Sequence, residues 1–238
     1  MAKFTVVYDN NKYDTTLRTG WGFSCWVESG ETTVLFDTGG DGATLLGNIA
    51  KLNLDPQAID AVMLSHVHGD HTGGLASLLN KAAGPTVYVP TAFPASFKRD
   101  VQVRVDLVEV REPLEIAPKL YTTGQVGSSI VEQALVVETD AGSVVVTGCA
   151  HPGIVAMVRH AKEAVAGEIA LVLGGFHLGS ASRRKIKNII TEFRRLDVQG
   201  VAPSHCTGDR ARRIFANAYD DGCVLPGVGW AINVGSSP

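Results

Sequence analysis

The stretch Ala61-Val62-Met63-Leu64-Ser65-His66-Val67-His68-Gly69-Asp70-His71-Thr72-Gly73-Gly74 decides how this chain is read. Its opening apolar residues predict a buried strand over residues 61–65. Residues 73–82 predict a helix start. The six residues between carry four side chains that can bind a divalent cation: His66, His68, Asp70 and His71. They occupy a strand-to-helix loop, where layered α/β proteins place their chemistry. Three imidazoles and a carboxylate on one loop are costly to crowd together without a cation and favourable with one. In an extended segment alternate side chains share a face, so His66 and His68 can pinch one ion. Asp70 continues that alternation and His71 points elsewhere, which gives a second ion to Asp70 and His71. Two ions about 3.5–4 Å apart serve many phosphatases and nucleases. The expectation is two divalent ions, zinc first, with manganese or iron as alternatives.

Outward from this loop, residues 4–8 read as a strand. Residues 23–28 and 32–36 read as a hairpin over Ser29-Gly30-Glu31. A helix is expected over 44–52 and a strand over 86–89. Pro90, Pro94, Pro113 and Pro118 break residues 91–133 into pieces, so an irregular segment is expected there, as a lid or substrate loop or as an ordinary connection. Residues 134–139 and 143–147 form a second hairpin. Helices at 153–166, 182–196 and 209–219 alternate with strands at 169–173, 201–203 and 228–234. This order fits two sheets sandwiched between helices, in one domain spanning residues 1–238.

Three further histidines each follow an apolar run: His151 after 144–148, His177 after 171–175, and His205 after 201–203. Each is placed at the end of a buried strand, where sheet proteins put active-site groups. Three repeats of one pattern among seven histidines point to a shared site. His177 has two readings, as a metal ligand or as a proton donor to substrate, and the second is favoured for an imidazole titrating near neutrality. His160 sits within a helix and is assigned to surface or core. Asp37 either supports the metal loop from behind or is a turn carboxylate capping Thr38-Gly39. Gly39-Gly40-Asp41-Gly42 lacks the Gly-Lys-Ser/Thr ending of a P-loop and reads as a turn. Arg183, Arg184 and Lys185 read as a solvated face, with a phosphate clamp as the alternative.

His-x-His-x-Asp-His resembles the hallmark of the metallo-β-lactamase superfamily. Leu35-Phe36-Asp37-Thr38-Gly39 is similar to that family's early strand and turn. The segments 145–151, 174–178 (Gly-Gly-Phe-His-Leu) and 204–208 (Ser-His-Cys-Thr-Gly), with 8–10 and 20–24, resemble the branch typified by 7,8-dihydropterin-6-methyl-4-(β-D-ribofuranosyl)-aminobenzene-5′-phosphate synthase. The resemblance implies an α/β four-layer αβ/βα sandwich with metals on loops at one edge. It implies His205 as a ligand of the second ion, and His151 is assigned as the third ligand of the first. The chain departs from the pattern at Thr147-Gly148-Cys149, where Thr-Gly-Asp is usual. Cys149 is either a thiolate ligand or bridge, or a small buried residue, the second being favoured. Cys206 is read as structural.

The chain has 45% hydrophobic residues, enough for a sizeable core, and a net charge of −3, which gives no footprint for bulk nucleic-acid binding. The N-terminus lacks the 7–15-residue apolar stretch of a secretory signal, and no run approaches the ~20 apolar residues of a membrane span. A cytoplasmic location is expected, without a nucleic-acid or membrane partner. The four cysteines form no C-x-x-C pair and are expected as free thiols. That also removes one support for a redox reading, and the intact first motif argues against a degenerate scaffold. The reading is a binuclear metallohydrolase acting through a metal-activated water on a phosphorylated or anionic small molecule, with Asp70 orienting the nucleophile. The resemblance implies an alternative, a transferase joining a pterin diphosphate to an arylamine ribofuranosyl phosphate.

Overall fold

The computed structural model describes residues 1–235. The first sheet is built from β1 (Ala2–Asp9), β2 (Phe23–Ser29), β3 (Thr32–Phe36), β4 (Ala61–Met63), β5 (Thr86–Pro90) and β6 (Leu107–Val110). The second holds β7 (Leu114–Ala117), β8 (Leu120–Thr122), β9 (Leu135–Thr139), β10 (Gly142–Thr147), β11 (Ile169–Gly175) and β12 (Val201–Ser204). The last strand, β13 (Ala231–Val234), returns to the first sheet beside β1, giving the order β13-β1-β2-β3-β4-β5-β6 against β12-β11-β10-β9-β8-β7. Each sheet begins with antiparallel hairpins and ends in parallel strands: β3 to β6 in one, β10 to β12 in the other.

Period-2 alternation explains why both faces of both sheets are covered. In β3, Val34 and Phe36 enter the layer between the sheets while Leu35 faces outward. In β10, Val144 and Val146 meet that same layer and Val145 faces the other way. The outer face of the first sheet packs on α1 (Gly42–Lys51), α3 (Leu75–Leu79) and α4 (Ala95–Gln102), through Leu45, Ile49, Leu78 and Val101. The outer face of the second packs on α5 (Ile154–Ala164), α6 (Arg183–Arg195) and α7 (Asp209–Tyr219), through Met157, Ile186, Phe193 and Phe215. The result is the expected αβ/βα sandwich. No helix among the described residues is long and apolar enough to cross a membrane.

Two expectations are corrected. Residues 91–133 are not an irregular loop: they hold α4, β6, β7 and β8, which extend both sheets to their edges. The prolines mark boundaries, with Pro90 closing β5, Pro94 preceding α4 and Pro113 preceding β7. The helix expected over 73–82 is shortened to α3, and a separate helical turn, α2 (Gly69–Thr72), precedes it. The break is where a Cβ on Gly73 would stand 2.2 Å from Gly40 O, and one on Gly74 2.2 Å from Thr38 O. Those glycines let the metal loop lie flat on the turn after β3.

Phe36 is fully buried between the sheets. Phe36→Ala should lower the free energy of unfolding by about 3–5 kcal/mol, read as a shift of the urea midpoint without a change in slope.

Candidate metal centre

The site lies where parallel strands of both sheets end. Among the described residues, four of the eight non-glycine residues with positive φ stand just past such strands: Asp37 (φ 58) after β3, Ala150 (φ 60) after β10, His177 (φ 50) after β11 and His205 (φ 46) after β12. A left-handed residue turns the chain sharply and lets a side chain leave the strand's end sideways. Such backbone is sparsely populated for non-glycine residues and clusters at functional sites. From the first sheet, β4 delivers His66 and His68, and α2 delivers Asp70 and His71. Asp70 and His71 therefore sit on a helical turn, not on the extended alternation expected from sequence.

Among the described residues two donor groups hold the sequence-assigned ligands, beside a third cluster of Cys149, His177 and Cys206. His66 Nε2 lies 3.1 Å from His68 Nδ1, which lies 3.2 Å from His151 Nε2. Asp70 Oδ2 lies 3.6 Å from His71 Nε2 and 3.3 Å from His205 Nε2. Cys149 Sγ is 3.3 Å from His71 Nε2 and belongs to both groups: with Asp70, His71 and His205, and with His66 and His151, ligand atoms all lie within 4.8 Å of one another. So the structure brings together all six sequence-assigned ligand residues. His177 stands at the rim, exposed, with its ring centroid 4.3 Å from that of His151. His160 lies elsewhere, beside Glu163 on α5.

Behind the ligand atoms, other residues fix the rings. Asp37 is fully buried. Its Oδ2 meets His71 Nδ1 at 2.6 Å and accepts from Ser65 Oγ at 2.7 Å, while Oδ1 accepts from Ser65 N at 2.7 Å. Of its two sequence readings, the contacts match support of the metal loop. Asn10 Oδ1 pairs with His205 Nδ1 at 2.8 Å, so Nε2 faces inward. Asp9 holds the Asn11 amide and the Ser204 hydroxyl, tying the end of β1 to the end of β12. Glu132, also fully buried, accepts from Ala150 N at 2.8 Å and His151 N at 3.0 Å. Asn10 and Glu132 were missed from sequence. A lone acid in the apolar stretch Ile130-Val131-Glu132 was the available signal for Glu132. Asp41 caps α1 through Thr44 N, as ordinary turn chemistry predicts. Arg183 and Arg184 line a groove between α6 and α7 whose walls include no ligand residue.

The electrostatics suit a cation. Burial and neighbouring imidazoles push His66 down, and burial with His177 lowers His151 to about 4, so both rings are neutral with a lone pair free at neutral pH. Burial pushes Asp70 up, but contact with His205 and His71 outweighs it and the carboxylate is ionised. His205 Nε2 is buried with no hydrogen-bond partner, an orphan of the kind a bound ion satisfies. The spacing also fits: ligand atoms 2.0–2.3 Å from a tetrahedral zinc lie about 3.3–3.6 Å from one another. Beside them, the Cys149 thiol is pushed up by its hydrogen bond to Cys206 and by burial. Cys206 is pushed down by Cys149 and His177, and His177 is raised by Cys206. The fit of donor set, lone pairs and spacing is to divalent cations.

Glu132 generates a pH prediction. Burial raises its carboxyl from 4.5 to about 7 despite the backbone donors. Between those values the folded chain keeps a proton that the unfolded chain has released, so stability falls as pH rises through this window and levels off above it. In the metal-free protein, Glu132→Gln should flatten that part of the slope of urea midpoint against pH from 5 to 7. It should also lower stability overall, because the amide cannot accept from both backbone N–H groups.

Comparison with known proteins agrees with this geometry. A family model described as metallo-beta-lactamase superfamily matches residues 20–165. A curated relative from Methanocaldococcus jannaschii, 7,8-dihydropterin-6-methyl-4-(β-D-ribofuranosyl)-aminobenzene-5′-phosphate synthase, is 28% identical over 251 residues, covering 85% of each chain. A solved structure described as a metal-dependent hydrolase of the beta-lactamase superfamily superposes with TM-score 0.83 at 30% identity, covering 98% of this chain and 99% of its own. The metallo-beta-lactamase fold protein YhfI from Bacillus subtilis, at 15% identity and TM-score 0.73, shares the fold over 97% of this chain and 98% of its own. With the family model spanning more than half of the sequence, the chain belongs to the metallo-β-lactamase superfamily.

Proposed function

We propose that this protein is a binuclear metal-dependent hydrolase of a small phosphorylated or otherwise anionic molecule, without a nucleic-acid or membrane partner. The supporting observation is the pair of donor groups joined at Cys149. His66, His68 and His151 would hold one ion. Asp70, His71, His205 and Cys149 would hold the other, Cys149 as a thiolate whose proton would pass to solvent. Zinc suits this nitrogen, oxygen and sulfur set, with manganese or iron as alternatives. When bound, a pair of such ions brings the pKa of a water toward neutrality and neutralises charge developing on an ester or phosphoryl oxygen.

The chain's own residues do the rest. Asp37 and Asn10 lock the ring tautomers of His71 and His205, and Glu132 holds the backbone of Ala150 and His151, so that reorganisation is small when substrate arrives. Asp70, partly buried at the rim of its cluster, orients the attacking water. His177, at the rim beside His151, is placed to donate a proton to the leaving oxygen. A transferase is the second reading, favoured by the similarity of 85% of this chain to the Methanocaldococcus jannaschii dihydropterin-linked synthase. It would use the same residues on a diphosphate leaving group.

Elemental analysis of the purified protein should find about two ions per chain, falling to about one in His205→Ala. Replacing both His68 and Asp70 by Ala should abolish metal-dependent ester hydrolysis in a folded domain; full retained activity refutes the mechanism. The two reactions separate on one assay: pyrophosphate that appears only when an arylamine acceptor is present marks the transferase.

A further inference from the structure

Trp21 is 63% exposed, whereas Trp26 and Trp230 are 2% and 7% exposed. Its ring stands beside the site, with its centroid 5.0 Å from that of His205 and the planes at 54°. The loop that carries it is clamped. A Cβ on Gly20 would lie 2.2 Å from Tyr8 Oη, and one on Gly22, at φ +142, would lie 2.2 Å from Asp70 O. Gly20 N also donates to Asp9 O at 3.1 Å. On its other side, a Cβ on Gly40 would come 2.7 Å from Trp21 O. Backbone is thus pressed directly on the metal loop and the turn after β3, and the one side chain in Gly20-Trp21-Gly22 is turned out toward solvent. Val67, between His66 and His68, is exposed as well, so the rim next to the ligands carries two apolar side chains.

A wide indole left in water at the rim of a polar cluster, on a loop with little freedom to withdraw, has the features of a stacking surface. We propose that Trp21 is the platform for a planar aromatic or heteroaromatic part of the substrate, whose anionic group meets the metal centre. The inference rests on the site reading above, and it narrows the substrate to aryl or heteroaryl anions. Trp21 is a specificity residue in this account: it touches substrate but not the bond that breaks. His205, which its ring adjoins, is held by Asn10 and does not need the indole for its orientation.

The test uses the purified protein supplemented with Zn²⁺, with phenyl phosphate and ethyl phosphate as probes, and reads affinity by titration calorimetry. Wild type should bind phenyl phosphate more tightly than ethyl phosphate. Trp21→Ala should weaken phenyl phosphate by about tenfold and leave ethyl phosphate unchanged. Trp21→Phe should keep the preference, and ion content should match wild type in both variants. No aromatic preference in wild type, equal weakening of both probes, or loss of ion from Trp21→Ala would each overturn the platform. The hydrolase reading fails separately: if neither ester is cleaved while phenyl phosphate binding still depends on Trp21, the platform stands and the reaction is wrong.

Discussion

The Asp37 carboxylate is the contact on which the site depends. It is fully buried, and burying a charge is costly unless every lone pair is engaged. Here a backbone N–H, a hydroxyl and an imidazole N–H engage it. Those partners come from Ser65, at the head of the metal loop, and His71, at its foot. One group therefore fixes both ends of the six-residue motif against the end of β3. The hydroxyl of Ser65 also reaches His66 Nδ1 at 2.9 Å, so the first histidine is oriented through the same contact. The loop needs Gly73 and Gly74 to come close enough for this, which is why the helical turn of the motif stops before α3 begins.

The rest of the centre is the product of two sheet edges. β4 and α2 present the first four ligand candidates. β10, β11 and β12, running parallel, present Cys149 and His151, His177, and His205. Parallel strands place their carboxyl ends side by side, so residues far apart in sequence meet without long loops. The N-terminal strand has a part too, because Asp9 and Asn10 at its end brace Ser204 and His205.

Much of this was legible in the sequence, for physical reasons. Strand and helix periodicities survive in the apolar pattern, and a dense run of histidines and an acid has few uses other than a cation. Three histidines after apolar runs could be placed at strand ends without knowing which strands were neighbours. What was not legible depended on tertiary contact. Prolines read as breaks in 91–133 turned out to sit at element boundaries, a difference no local pattern encodes. Cys149 looked like a buried small residue, and it is buried, but only the fold shows that its sulfur lies between two groups of ligand atoms. Glu132 and Asn10 carry no spacing signal because they act through backbone N–H and a ring nitrogen brought to them by other strands.

Left-handed backbone at Asp37, Ala150, His177 and His205 has a consequence for how such a protein can change. Each such residue costs of order 1 kcal/mol against a glycine or asparagine in the same place. At Asp37, His177 and His205 the side chain is one that the proposed chemistry uses, so the relief and the loss would arrive together. Selection for thermal robustness alone would therefore draw these positions toward glycine and leave a sturdier shell without its reaction.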